Sequence, residues 1–140
     1  MADWLIMTRT NYFRVTDEEK YQEIFKHLVT NGEIKDFTKE QDGVLYHGFG
    51  TYDGIDYQVD LEDEESEYDF ERFIEELQKI LPEDEAFIYQ ETGYEELRYG
   101  DGYALVVTSK EVRSEFISSW VKETVKELLG KDNKVTKCSD

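Results

Sequence analysis

Little in this chain is equipped for covalent chemistry. Cysteine occurs once, as Cys138 in the polar stretch KDNKVTKCSD, so no disulfide framework can form within the chain, which suits a reducing compartment. A thiol in such a tail has no base fixed against it, and no Cys–His or Ser–His–Asp set has support along the sequence. Histidine occurs only at His27 and His47. The first reads as a partly exposed helix residue, the second as a structural strand residue beside Gly48-Phe49-Gly50. No stretch approaches the roughly 20 apolar residues of a membrane span. The N-terminus lacks a basic region leading into an apolar run, so no signal peptide is expected. The expected location is the cytoplasm.

Positive charge is also scarce. Lys and Arg total 16 against 34 acids, for a net charge of −18. Such a chain repels nucleic acid and anionic lipid, and its natural partners are basic surfaces or cations. The excess is local. Residues 1–50 carry nine acids and six bases, residues 51–100 eighteen acids and three bases (Arg72, Lys79 and Arg98), and residues 101–140 seven of each. One strongly negative face is expected.

Familiar ligand motifs are missing as well. Gly48, Gly50 and Gly54 do not make G-x-G-x-x-G, because position 53 is Asp, and the neighbourhood is acidic, so these glycines are read as relieving a hairpin end and no phosphate-binding loop is expected. The acidic stretch lacks the D-x-[DN]-x-[DN]-G pattern and the glycine of an EF-hand; calcium is kept as a lesser alternative. Paired carboxylates for glycoside hydrolysis are available by inventory, but in so acidic a chain inventory decides nothing. No catalytic residue, cofactor or metal ligand is assigned, and the chain is expected not to be an enzyme.

What is present is enough apolar material for a core: 39% hydrophobic and 14% aromatic residues in 140, too much for a disordered chain. One domain is expected over 1–130, with a polar tail over 131–140. Residues 3–15 read as a strand with Trp4 to Met7 apolar on both faces, hence central. Thr16-Asp17-Glu18-Glu19 reads as a capping box for a helix with Tyr21, Ile24, Phe25, Leu28 and Val29 on its core face, ended by Asn31-Gly32. Strands over 33–40 and 44–52 flank Gln41-Asp42-Gly43, a hairpin signal, and a short strand follows near 55–60. A second helix spans about 67–81 and stops at Pro82. Strands over 86–92 and 102–109 are joined by GYEELRYGDG as a long or irregular connection. Ser109 caps a third helix carrying Val112, Phe116, Ile117, Trp120, Val121, Val125 and Leu128, ended by Gly130. The order β-α-β-β-(β)-α-β-β-α predicts an α+β fold, a mostly antiparallel sheet with about three helices on one face.

The stretch from Asp60 to Glu71 holds eight acids in twelve residues. Glu67, Asp69 and Glu71 are explained by the positive end of the second helix, and Arg72–Glu76 and Glu75–Lys79 by i,i+4 pairing. Asp60, Glu62, Asp63, Glu64 and Glu65 have no neighbouring base, and Glu67, Glu71 and Glu75 stack like charges at i,i+4. An acidic surface kept for solubility competes with a surface that imitates the phosphates of nucleic acid. The candidate partner-binding residues are Asp60, Glu62, Asp63, Glu64, Glu65, Glu67, Asp69, Glu71 and Glu75.

The segments ADWLIMTRTNYFRVTDEE, VLYHGFGTYDGID and GYEELRYGDGYALVVTSKE resemble small acidic uncharacterised proteins of phages, plasmids and conjugative elements of Gram-positive bacteria. The resemblance implies an antirestriction or anti-CRISPR setting, in which acidic inhibitors, some of them DNA mimics, block a basic DNA- or RNA-binding site on a host defence protein. It assigns no residue a role. The expected partner is therefore a basic nucleic-acid-binding protein, with no direct nucleic acid and no membrane. The alternatives are a small-molecule-binding protein or enzyme with a site at Arg9, Asn11, Arg14 and His47, and an accessory protein of a mobile element without mimicry.

Overall fold

The computed structural model describes residues 5–95 and 99–136. Its strands are β1 (Leu5–Thr10), β2 (Leu28–Val29), β3 (Lys35–Asp36), β4 (Lys39–Gln41), β5 (Val44–Tyr46), β6 (Phe49–Thr51), β7 (Asp56–Tyr57), β8 (Phe87–Glu95), β9 (Tyr99–Val107) and β10 (Val112–Phe116). The helices are α1 (Glu18–Phe25), α2 (Phe70–Gln78) and α3 (Ile117–Leu129). The main sheet runs β10-β9-β8-β1-β6-β3 and every pair in it is antiparallel. Two small ladders, β2–β7 and β4–β5, complete an α+β fold of the expected class.

One face of the sheet forms the core. Thr8 and Thr10 of β1, Phe49 and Thr51 of β6, Phe87 and Tyr89 of β8, and Leu105 and Val107 of β9 alternate inward and are buried. Against them α2 sets Phe73, Ile74 and Leu77, and α1 sets Tyr21 and Ile24. Phe13 joins the layers: it is fully buried, and its ring lies 5.0 Å from Phe87, 5.7 Å from Tyr21 and 6.5 Å from Phe49. Burying each such ring stabilises the fold by roughly 1.5–3 kcal/mol. The opposite face is open, with Leu5, Met7 and Tyr94 each about half exposed. β1 is thus central between β6 and β8, but its first residues are not covered on both sides, and Trp4 lies outside the described residues.

Local chemistry accounts for the turns. Asp42 and Gly43 both have positive φ (54° and 78°), the two-residue hairpin conformation in which Asp and Gly are favoured. Gly130 ends α3 at φ 89°, its N–H bonded to Lys126 O. At Gly50 a Cβ would lie 2.8 Å from Thr8 O, so only glycine lets β6 lie this close to β1.

Several expected boundaries move. Asp17, not Thr16, caps α1, accepting from the Lys20 N–H at 3.0 Å, while Thr16 N–H and Oγ1 both donate to Ile80 O. α1 stops at Phe25, because Leu28 and Val29 leave helical spacing to pair with Tyr57 and Asp56; Gly32 has no left-handed φ. His27 follows the helix, its Nδ1 2.7 Å from Gln58 O and its ring stacked on Tyr57. GYEELRYGDG is mostly paired strand, with Thr92 opposite Gly102 and Glu95 opposite Tyr99; residues 96–98 lie outside the described residues.

The largest change is at 112–116. Thr108 Oγ1 accepts from the N–H groups of Lys110 and Glu111, and Thr108 N–H donates to Glu111 O, closing a tight turn. Ser109 caps no helix: Val112–Phe116 returns as β10, and α3 begins only at Ile117. α3 lacks a cap of its own, and Asp101 of β9 supplies one, its carboxylate accepting from Ser118 N–H (3.1 Å) and Ser118 Oγ (2.6 Å). Burial works to raise the Asp101 carboxyl, but these bonds and the Gly102 N–H outweigh it and hold it below the usual carboxylate range. Residues 131–136 are without regular structure, and Cys138 lies outside the described residues.

Candidate functional site: an ordered acidic loop

Residues 60–67 form a loop whose ends are tied together. Gln58 and Tyr68 make an antiparallel bridge, and Val59 N–H donates to Glu67 O at 3.1 Å. Inside it, Asp60 Oδ1 accepts from Glu62 N–H at 3.0 Å and Asp63 Oδ1 from Glu65 N–H at 2.9 Å, two successive Asx turns. Ser66 Oγ accepts from Asp60 N–H, and Gln58 Nε2 donates to the carbonyls of Asp60 and Asp63. Asp60 and Asp63 therefore have a structural use that charge counting did not reveal. Glu62, Glu64 and Glu65 have none: all three are exposed, and no base among the described residues lies within 4.0 Å of any carboxylate from Asp60 to Glu67.

The nearby bases are engaged elsewhere. Glu76, half-buried on α2, draws Lys20 of α1 at 3.1 Å, Lys79 at 3.3 Å and Arg72 at 3.9 Å. The expected Glu75–Lys79 pair is replaced by Glu76–Lys79, while Arg72–Glu76 forms. The Lys20 hydrogen bond, opposed by burial and helped by Lys79, holds the Glu76 carboxyl below the usual carboxylate range. A lowered folded value means that the stabilisation is present above pH 4.5 and is lost as pH falls through the folded value. Glu76→Gln is expected to flatten the acid limb of stability, read as the urea midpoint from about pH 6 down to about pH 3.

The helix part of the candidate surface is smaller than expected. α2 begins at Phe70, so Glu67 lies outside it and no Glu67–Glu71 helical stack exists. Asp69 is the N-cap residue but makes no side-chain cap bond, and Glu71 alone is an acid of the first turn. Glu71 and Glu75, both exposed, continue the acidic surface along α2.

The alternative residues do not converge. Asn11 bridges strands, with Nδ2 to Ala86 O at 2.9 Å and Oδ1 accepting from Ile88 N–H. Arg14 pairs with Glu85 and Asp84. Arg9 lies on the open sheet face over the Phe37 ring, 4.3 Å from its centroid. His47 is buried against Tyr21, their centroids 4.0 Å apart. Its Nε2 lies 2.7 Å from Glu18 Oε2 and its Nδ1 3.2 Å from Thr38 Oγ1, which also bonds Asp36. With both ring nitrogens, its N–H and its carbonyl all partnered, His47 ties α1 to the sheet. Glu18→Ala would strand Nε2 in the core and is expected to cost about 1–3 kcal/mol in urea unfolding.

None of these four residues lines either of two open surface hollows. One, of about 550 Å³, lies over the polar side of α1; the other, of about 470 Å³, lies between Thr30, Asp53, Ile55 and Tyr68. Among the described residues no group of three or more His, Cys, Asp or Glu is arranged to hold a metal ion, and no helix is long and apolar enough to cross a membrane. No family model, curated protein sequence or solved structure matches the chain.

Proposed function

We propose that the protein acts by binding: its loop 60–67, with Asp69, Glu71 and Glu75, occupies a basic nucleic-acid-binding site on another protein and blocks it. The observation that carries this reading is an ordered loop that leaves Glu62, Glu64 and Glu65 exposed and without a counter-charge. A surface kept only for solubility needs no fixed backbone; a surface that must match a groove gains affinity from one, because less conformational freedom is lost on binding. Six of the eight residues from Asp60 to Glu67 are acids, a concentration of negative charge of the kind a groove built for the closely spaced phosphates of a duplex would accept. The resemblance to acidic proteins of mobile elements makes a host defence nuclease or DNA-binding protein the proposed target, in the manner of an antirestriction or anti-CRISPR inhibitor. The separate structural engagements of Asn11, Arg14 and His47 weigh against a small-molecule site there.

The test is capture of host proteins on the full chain at low salt. Basic nucleases or DNA-binding proteins should be retained, released by salt and displaced by duplex DNA. Retention indifferent to both salt and DNA overturns the reading.

A further inference from the structure

The third helix has an apolar stripe that is only partly covered among the described residues: Ile117 lies against Gly102 of β9, and Thr124 and Val125 are half-buried. Ile117, Trp120, Val121, Thr124, Val125 and Leu128 recur at the spacing of one helix face. In the folded chain no residue of α3 is buried: Trp120 is 59% and Leu128 76% exposed. The strand leading into it is equally bare. β10 is an edge strand, and Val112 and Phe116, which sit beside the inward-facing Val107 and Tyr103, are 42% and 48% exposed. α1 and α2 cover the inner face as far as β9 and no further. The stripe beyond Ile117, open at Trp120, Val121 and Leu128, is an unfilled interaction surface, and the unpaired edge of β10 stands next to it.

Charge selects the occupant. The chain carries −18, but residues 101–140 carry seven acids and seven bases. Two copies meeting elsewhere would bring like charges together, whereas at α3 they meet on neutral ground, where Lys122, Glu123 and Lys126 lie away from the stripe. The stripe is also self-complementary. A two-fold axis passing between Thr124 and Val125 of an antiparallel pair sets Val121 of one copy against Leu128 of the other, twice, and opposes the helix dipoles. Phe116, Ile117, Trp120, Val121, Leu128 and Leu129 leave on the order of 600 Å² exposed per chain, taking roughly 150–250 Å² for a large side chain. That approaches the ~800 Å² per partner of a standard interface before β10 is added. We infer that the β10–α3 unit is the interface of a two-fold homodimer of this chain.

The proposal is independent of the acidic loop and has the opposite salt signature. Screening relieves the repulsion between two acidic copies, so salt strengthens the dimer, while salt dissolves a complex made through the loop. Sedimentation of the intact chain from about 1 to about 100 µM should show a monomer–dimer equilibrium that shifts toward dimer with salt. The double variant Trp120→Glu, Leu128→Glu should be monomeric throughout with an unchanged circular dichroism spectrum. A wild-type chain that stays monomeric at every concentration and salt overturns the inference, as does a dimer that survives the double substitution. Tyr52→Glu, a largely exposed site just after β6 and so at the far side of the sheet from β10, should leave the dimer intact; loss of the dimer there would place the contact elsewhere.

Discussion

Phe13→Ala is expected to remove about 3–5 kcal/mol of stability, the loss of a large buried ring plus the cavity it leaves. A domain of this size has about 5–15 kcal/mol in total, so the change is a large fraction of the whole. Phe13 follows β1 and precedes α1, and its ring touches both the sheet, through Phe49 and Phe87, and the helix layer, through Tyr21. Its backbone pairs with His47 in both directions, so the ring cannot swing to close the void without breaking that bridge. Thermal unfolding should shift down by on the order of 10 °C or more, and Phe13→Leu, which keeps most of the volume, should cost much less. A loss below about 1 kcal/mol for the alanine variant would mean that these rings are not a tightly packed unit.

The second large effect concerns binding and spares the fold. Converting Glu62, Glu64 and Glu65 together to Lys should weaken capture of the basic partner at low salt at least tenfold, about 1.4 kcal/mol. It should also reduce the salt dependence of whatever binding remains. Stability should hold or rise slightly, since these carboxylates have no structural partner and repel one another. Asp60 and Asp63 are left alone by design: their carboxylates hold the loop's own N–H groups, and replacing them would confuse lost shape with lost charge. An affinity unchanged by the triple reversal would remove the loop from the proposed function.

Much of the fold was legible in the residues, and the errors have a common physical origin. In the stripe of Phe70, Phe73, Ile74, Leu77, Ile80 and Leu81 all but the partly buried Phe70 are buried as the spacing requires, and Asp42-Gly43 makes the expected turn. The misread segments are those whose pattern fits two periods. Val112, Ser114 and Phe116 alternate like a strand, while Val112, Phe116 and Ile117 also fit a helix face; the Thr108 turn decided between them. Leu28 and Val29 continue the helical stripe of α1, but pairing with β7 won. GYEELRYGDG reads as a connection, yet Gly102 sits in the ladder, where a Cβ would lie 2.5 Å from Ile117 Cδ1. For the acidic loop, composition located the charge but not its architecture. The preference of Asp for Asx turns could have signalled the roles of Asp60 and Asp63. Nothing local foretold that Gln58 and Ser66 would brace the loop, or that Glu76 would gather the neighbouring bases.

The position of β1 sets the order in which the molecule can assemble. The β4–β5 hairpin and the β8–β9–β10 meander join neighbours in the chain and can close early. β1 precedes both its partners: it pairs Thr8 with Thr51 and Leu5 with Tyr94, so one edge waits for β6 and the other for β8, well over half-way along the chain. During synthesis the residues up to Thr10 leave the ribosome as an unpaired strand, exposed until β8 arrives to enclose it. The polar and charged residues of TRTN at its end interrupt the apolar run over that interval, which protects the nascent chain from pairing with its own copies.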